Sequence, residues 1–459
     1  MDFLEDLRLV DGPVLWIAWA AGAAGAAYLL RHAGRPRKDA AGPRWPGLLA
    51  TVALVILSAA VLLAGAHWLM IYVFSVFPGE LPGEVLAWSL PAVAALLLWL
   101  MRVWRTWRTG HTPSLEHPDR PRPARTTVLS TGALLGVVIL SALQTNIYFG
   151  LNHTVSDLLG TAVARVPPLE DGLQRTPGAP AGLSLAGWTP PEGLPDGGLL
   201  RRAVIPGTTS GFQSREAYIY LPPAYRTSPR PALPVLVLFA GQPGAPADWL
   251  TGGALRSRMD RYAAEHRGVA PVVVVVDPNG SSSGNTLCMD SRIARADTFL
   301  AVDVPAWIKR TLDVNKEPSQ WAAGGFSFGA TCAMQMVTRH PDIYSSALAF
   351  SSEKEPALAK EREKTIAASF NGDTEAFDRQ TPLRIMQERR FEGHAIYFGA
   401  GERDPEFIGY MEILSHAARA AGFTVEARPV SGAGHSWEAA SQGLPDGLDF
   451  LASRWGIRQ

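Results

Sequence analysis

Trp321 to His340 reads WAAGGFSFGATCAMQMVTRH, and the way this stretch divides decides the fold. Trp321–Phe326 reads as a short strand that runs into a sharp turn. ATCAMQMVTRH, from Ala330 on, reads as a helix. Between them, Gly325-Phe326-Ser327-Phe328-Gly329 fits G-x-S-x-G. The pattern alone is weak, because two glycines and a serine recur by chance. A strand before it and a helix after it make it specific: small flanking residues let the chain turn sharply and expose the serine oxygen. The helix start also aims backbone N–H groups and a positive dipole end at this point. One such donor to a developing oxyanion is the Phe328 N–H. The second is expected from the loop after an earlier apolar run, at the Gln242 N–H of Gly241-Gln242-Pro243-Gly244.

A serine hydroxyl near neutral pH needs a base within hydrogen-bond reach, and the base needs an orienting carboxylate. His435 lies in Gly432-Ala433-Gly434-His435-Ser436-Trp437, a glycine-rich turn after a strand pattern and a poor place for a core histidine. His266 and His340 sit at helix ends, where charge complements the dipole. The acid belongs on the loop Ala400-Gly401-Glu402-Arg403-Asp404-Pro405. Asp404, before a proline that starts a helix, is preferred to Glu402. Its competing role is a helix N-cap, and it fills both only if its two oxygens serve different partners.

The surrounding pattern alternates. Strands are expected at 199–206, 217–221, 233–239, 269–276, 321–326, 345–350, 395–399 and 424–430. Helices are expected at 248–266, at 296–312 with Pro305 bending or dividing it, and after Ser327. Such alternation predicts an α/β domain with a mostly parallel sheet. The charged stretch 353–390 reads as a helical excursion between two strands.

The first third is of another kind. Pro13–Leu30, Gly47–Phe77, Val85–Met101 and Thr127–Gly150 are long apolar runs, the second without a single charge across GLLATVALVILSAAVLLAGAHWLMIYVFSVF. About 20 apolar helical residues span a bilayer core. Residues 1–150 are therefore expected to be an all-α transmembrane domain of four helices. Residues 151–195, rich in Pro and Gly, are expected to be a linker, and 196–459 the α/β domain. The first connection carries Arg31, Arg35, Arg37, Lys38 and Arg44, and the third Arg102, Arg105, Arg108, Arg120, Arg122 and Arg125; the second has Glu80 and Glu84 with no Lys or Arg. Basic loops stay in the cytoplasm. A multi-pass protein of the plasma membrane with its α/β domain on the extracytoplasmic side is the expected arrangement.

Whole-chain composition narrows the function. Over 459 residues, hydrophobic side chains make up 47%, charged ones 18%, and Lys+Arg equals Asp+Glu at 42 each. No global field recruits nucleic acid. The apolar runs carry no charge near their centres to mark an ion path, which argues against a transporter. The only cysteines, Cys288 and Cys332, fall in the α/β half; outside the cytoplasm they are expected to form a bridge, with two separate buried thiols as the alternative.

Taken together, YIYLPPAY (218–225), LPVLVLFAGQPG (233–244), DTFLAVDVPAWI (297–308), GGFSFGATCA (324–333), GAGERDP (399–405) and GAGHSWEAA (432–440) resemble the esterase-D-like α/β hydrolases, a superfamily of feruloyl and enterochelin esterases and secreted mycolyltransferases. The resemblance spans about Leu199 to Gly456. It implies an α/β-hydrolase fold, nucleophile Ser327, acid Asp404, base His435, and neither metal nor organic cofactor. The loop Ala240-Gly241-Gln242-Pro243 lacks the Asp-Gly pair and following arginine of the mycolyltransferases, which argues against trehalose as acceptor. The four-span architecture is similar to membrane-anchored actinobacterial esterases and to proposed hydrolases of aminoacyl-phosphatidylglycerol. The expected protein is a serine esterase whose partners are the lipid bilayer and a lipid- or envelope-borne ester. The alternatives are an acyltransferase passing the acyl group to a sugar or glycerol hydroxyl, and a non-catalytic envelope interaction protein.

Overall fold

The computed structural model describes residues 5–31, 33, 45–110, 123–175 and 183–457. Of the basic residues in the loops above, Arg35, Arg37, Lys38, Arg44, Arg120 and Arg122 lie outside these. The chain divides into two compact units: residues up to Tyr148 with Asn152–Leu158, and Phe149–Leu151 with Leu159 onward.

The first unit is helical. Gly12–Arg31, Gly47–Val73, Gly83–Thr106 and Arg125–Phe149 are each long and apolar enough to cross a membrane. Large apolar side chains such as Leu54, Leu57, Val61 and Val128 face outward and are more than half exposed. The Ala and Gly content of the first helix has a packing cause. A methyl group on Gly25 would lie 2.4 Å from the Ala133 carbonyl oxygen, and one on Gly136 2.8 Å from that of Ala21. Small residues let the first and fourth helices approach backbone to backbone, the usual device where no water drives association. Pro91 sits inside the helix Gly83–Gly110 without ending it.

The second unit is built on one eight-stranded sheet in the order β1-β2-β4-β3-β5-β6-β7-β8. The strands are β1 Leu199–Ala203, β2 Ala217–Leu221, β3 Val235–Phe239, β4 Val272–Val276, β5 Trp321–Phe326, β6 Ser346–Phe350, β7 Ala395–Gly401 and β8 Thr424–Val430. β1 and β2 are antiparallel additions; the other six run parallel. β2 to β7 are buried along their whole length, which is why they read as continuous Val, Leu and Ala runs. Helices Phe328–Arg339, Pro382–Glu388 and Pro405–Ala420 pack together on the sheet, and Leu255–Glu265 packs with Trp437–Trp455. The α/β-hydrolase fold expected from the sequence is the fold observed.

Two expected helices are irregular. In place of one helix over 248–266 there is a short turn at Pro246–Trp249, then Leu255–Glu265. The break falls at Gly252-Gly253, where any side chain would strike Trp437 at 2.6 Å or the Trp249 carbonyl oxygen at 2.5 Å. The segment 296–312 stays helical through Thr311 but widens into a π-turn at Phe299–Asp303, directly before Pro305, whose missing N–H interrupts the regular hydrogen-bond ladder. Within the Pro/Gly-rich stretch, Val166 and Trp188 join the main core. Its backbone exchanges hydrogen bonds with β1 between Pro167, Leu169 and Arg202, covering that sheet edge.

Candidate active site

In an open parallel sheet, the loops leaving the carboxyl ends of the strands share one rim. Ser327 leaves β5, Gln242 follows β3, Asp404 follows β7 and His435 follows β8. Ser327 holds φ 55° and ψ −122°, a strained backbone for a non-glycine residue. Its N–H donates to the Phe350 carbonyl at 2.8 Å, which helps to hold that conformation. The flanking glycines are steric necessities. A Cβ on Gly325 would fall 2.2 Å from the Gly329 carbonyl carbon and oxygen, and one on Gly329 2.2 Å from the Phe239 carbonyl oxygen.

Ser327, His435 and Asp404, far apart in sequence, are brought together. Ser327 Oγ lies 2.9 Å from His435 Nε2, and His435 Nδ1 lies 3.0 Å from Asp404 Oδ2. With Nδ1–H donating to the carboxylate, Nε2 keeps its lone pair toward the serine hydroxyl. Asp404 Oδ1 accepts from the Phe407 N–H at 3.4 Å and caps the helix Pro405–Ala420. The two oxygens thus serve different partners. Glu402 points elsewhere: its Oε2 accepts from the Gly432 N–H at 3.1 Å and the Ser431 hydroxyl at 3.0 Å. Those two donors hold its carboxyl below the usual value.

The acid and base loops are joined directly. Arg403 N–H donates to the Ala433 carbonyl at 2.9 Å, and Glu402 N–H to the Val430 carbonyl at 3.0 Å. Gly401 has no room for a side chain, since its Cβ would sit 2.3 Å from the Gly434 carbonyl oxygen. The imidazole of His435 packs against Phe407 at 4.0 Å and Phe326 at 5.3 Å between ring centroids. Phe407 has no signal in the sequence beyond its place in the helix after Asp404.

The Gln242 loop is the other wall. A Cβ on Gly241 would lie only 3.7 Å from Ser327 Cβ. Among the described residues, neither the Gln242 nor the Phe328 backbone N–H donates to another group of the chain. Unengaged N–H groups are what a tetrahedral oxyanion requires.

Two further features flank the nucleophile helix: the bridge expected from the sequence, and a carboxylate, Glu353, that the sequence reading did not single out. Cys288 and Cys332 are joined by a disulfide with Cα atoms 5.5 Å apart, tying the loop after β4 to the helix that Ser327 precedes. Glu353, half-buried after β6, accepts from the Thr331 hydroxyl at 3.2 Å, and Thr331 lies one turn after Ser327. Burial, with added repulsion from Glu406, pushes the Glu353 carboxyl up to about 8. Three other histidines of this unit have structural partners: His266 bonds the Tyr262 carbonyl, His340 bonds Asp297, and His394 bonds the Pro341 carbonyl. Among the described residues no group of three or more His, Cys, Asp or Glu is arranged to hold a metal ion.

A serine at a strand-to-helix turn, with a histidine and a carboxylate on the same rim of a mostly parallel sheet, is the arrangement that serine hydrolases of the α/β class use. Residues 211–449 match the family described as "Putative esterase", and the chain belongs to that family. An uncharacterized protein of Corynebacterium glutamicum is 37% identical over 271 residues, covering 57% of this chain and 63% of that protein. The chain thus spans less than two thirds of that relative's length. Among solved structures, a ferulic acid esterase superposes with a TM-score of 0.49 at 20% identity, over 57% of this chain and 99% of that one. An S-formylglutathione hydrolase from Agrobacterium tumefaciens gives 0.47 at 18% identity, over 57% and 97%.

Proposed function

We propose that this protein is a membrane-anchored serine esterase that works at the outer face of the membrane and hydrolyses esters carried by lipids or other envelope components. The observation that carries the reading is the continuous relay from Ser327 Oγ through His435 to Asp404. Ser327 Oγ attacks the ester carbonyl while His435 Nε2 takes its proton. The Gln242 and Phe328 N–H groups receive the carbonyl oxygen as it becomes an oxyanion. Asp404 holds the imidazole in the required tautomer and stabilises the imidazolium. Collapse expels the alcohol, which takes the proton from His435, and leaves an acyl group on Ser327. Water, deprotonated by His435, then releases the acid and restores the hydroxyl.

Four apolar helices in the same chain support a membrane site of action. A tether raises the effective concentration of esters at the bilayer surface. Aminoacyl-phosphatidylglycerol, whose labile ester lies at the headgroup, is the specific candidate. Ser327→Ala is expected to remove ester cleavage by roughly 10⁴-fold or more while leaving the fold intact. Lipid profiles of membranes carrying the active and Ser327→Ala forms should differ by accumulation of the substrate ester in the latter. Unchanged turnover in that variant ends the reading. Product analysis with and without a glycerol or sugar acceptor separates hydrolysis, which yields free acid, from acyl transfer.

A further inference from the structure

Behind the oxyanion loop lies an ion pair with an unusual set of bonds. Arg215, just ahead of β2, forks onto Asp277, the residue after β4. Its Nε donates to Oδ2 and its Nη2 to Oδ1, both at 2.8 Å, and its backbone N–H donates to Oδ2 at 3.0 Å. The N–H groups of Asn279 and Gly280 add two more bonds to the same carboxylate, each 3.0 Å. Asp277 is fully buried, so this full set of donors is what makes its charge tolerable.

The pair reaches the Gln242 loop by two routes. Directly, Arg215 Nη2 donates to the Gly244 carbonyl at 3.0 Å. Indirectly, Asp277 fixes the turn that begins at Asn279, and that turn holds the loop: Gly244 N–H donates to the Ser282 carbonyl at 2.9 Å, and the Gln242 side-chain amide to that of Ser283 at 3.3 Å. The segment that carries the Gln242 N–H is therefore pinned at Gly244 by a planar guanidinium that is itself locked in place.

We propose that Arg215 and Asp277 are positioning residues for the oxyanion hole: their ion pair sets the place of the Gln242 N–H beside Ser327 and so acts on the transition state without touching the ester. This rests on the esterase reading above and on Gln242 as an oxyanion donor. Displacement of a catalytic group by about 1 Å from a remote change can lower a rate by about 100-fold. The effect belongs in kcat, because the oxyanion exists only after attack.

The test uses the full-length chain in detergent with p-nitrophenyl butyrate as probe. Arg215→Lys keeps a cation opposite Asp277 but loses the planar fork. Asp277→Asn keeps the shape and loses the charge. Each is expected to lower kcat by about 100-fold with KM within about 3-fold of wild type, and to slow fluorophosphonate labelling of Ser327 in parallel, since the phosphoryl oxygen uses the same donors. A cooperative melting transition must persist in at least one of the two. Wild-type kcat in a folded variant overturns the proposal, as does a loss confined to KM. Loss of the melting transition in both also overturns it, leaving a purely structural role. If instead Ser327→Ala retains wild-type turnover, the esterase reading itself has failed, an outcome the Arg215 variants cannot mimic.

Discussion

Asp404 shows how much one side chain can carry when its oxygens diverge. Oδ2 faces His435 and Oδ1 faces the Phe407 N–H. Asparagine caps helices about as well as aspartate. Asp404→Asn should therefore melt close to wild type yet lose about 10⁴-fold in kcat, because the amide no longer holds the imidazole in the working tautomer. Glu402→Gln, which loses only bonds within the exposed loop at Ser431 and Gly432, should stay within about 10-fold. Equal losses in the two variants would remove the distinction drawn between these carboxylates. Glu353 offers a pH test. Its carboxyl titrates at about 8 in the folded chain against an ordinary 4.5, raised first by burial. Between those values the unfolded chain releases a proton that the folded chain keeps, so stability falls as pH rises across the window and levels off above it. Glu353→Gln has no such proton. The melting temperature of wild type relative to Glu353→Gln should decline from about pH 5 to about pH 8. Parallel curves would mean the carboxyl is not held neutral.

At the scale of elements, the strands were legible because a parallel strand covered on both faces has one solution in composition, an unbroken apolar run. The boundaries of β5, parallel and buried throughout, coincide with the sequence reading; those of the antiparallel β2 and of the edge strand β8 do so too, although β8 is only partly buried. The helix over 248–266 was not legible as two pieces, because its break at Gly252-Gly253 answers to Trp437, a neighbour almost two hundred positions away. The loop after β4 shows the same dependence. Leu287 and Cys288 adopt φ of 61° and 52° yet are fully buried. The Gln335 side chain donates to the Leu287 carbonyl at 2.8 Å, and Arg339 Nη2 to that of Cys288 at 2.6 Å. The bridge closes a separation of 44 residues. Replacing both cysteines by serine should destabilise the unit by about 4 kcal/mol on the chain-entropy estimate. Reductant should have the same effect on wild type and none on the double variant in thermal melts. Identical melts of the two proteins under oxidising conditions would show that the cross-link contributes nothing.

At the scale of the molecule, the proposed topology makes the active serine reachable from outside. A membrane-impermeant fluorophosphonate added to intact cells should label wild-type protein and leave Ser327→Ala unlabelled. Labelling that appears only after lysis would reverse the orientation inferred from the basic first and third loops. The stretch 151–195 teaches a separate lesson. Its Pro and Gly content signals little regular structure, yet Val166 and Trp188 are buried in the core and its backbone pairs with β1. Composition reports what a segment forms alone, not the surface it finds.

The amino-acid order by itself determined the four apolar helices, the parallel strand set and the serine turn, because each depends on local pattern: run length, burial on two faces, and glycines where the chain must pass close to itself. It also narrowed the acid to Glu402 or Asp404 and the base to His435. Only the tertiary structure decided which oxygen meets the imidazole, where Phe407 packs, and that Arg215 and Asp277 hold the Gln242 loop. Those are relations between side chains far apart along the chain, and distances across a sheet are set by packing that no local pattern encodes.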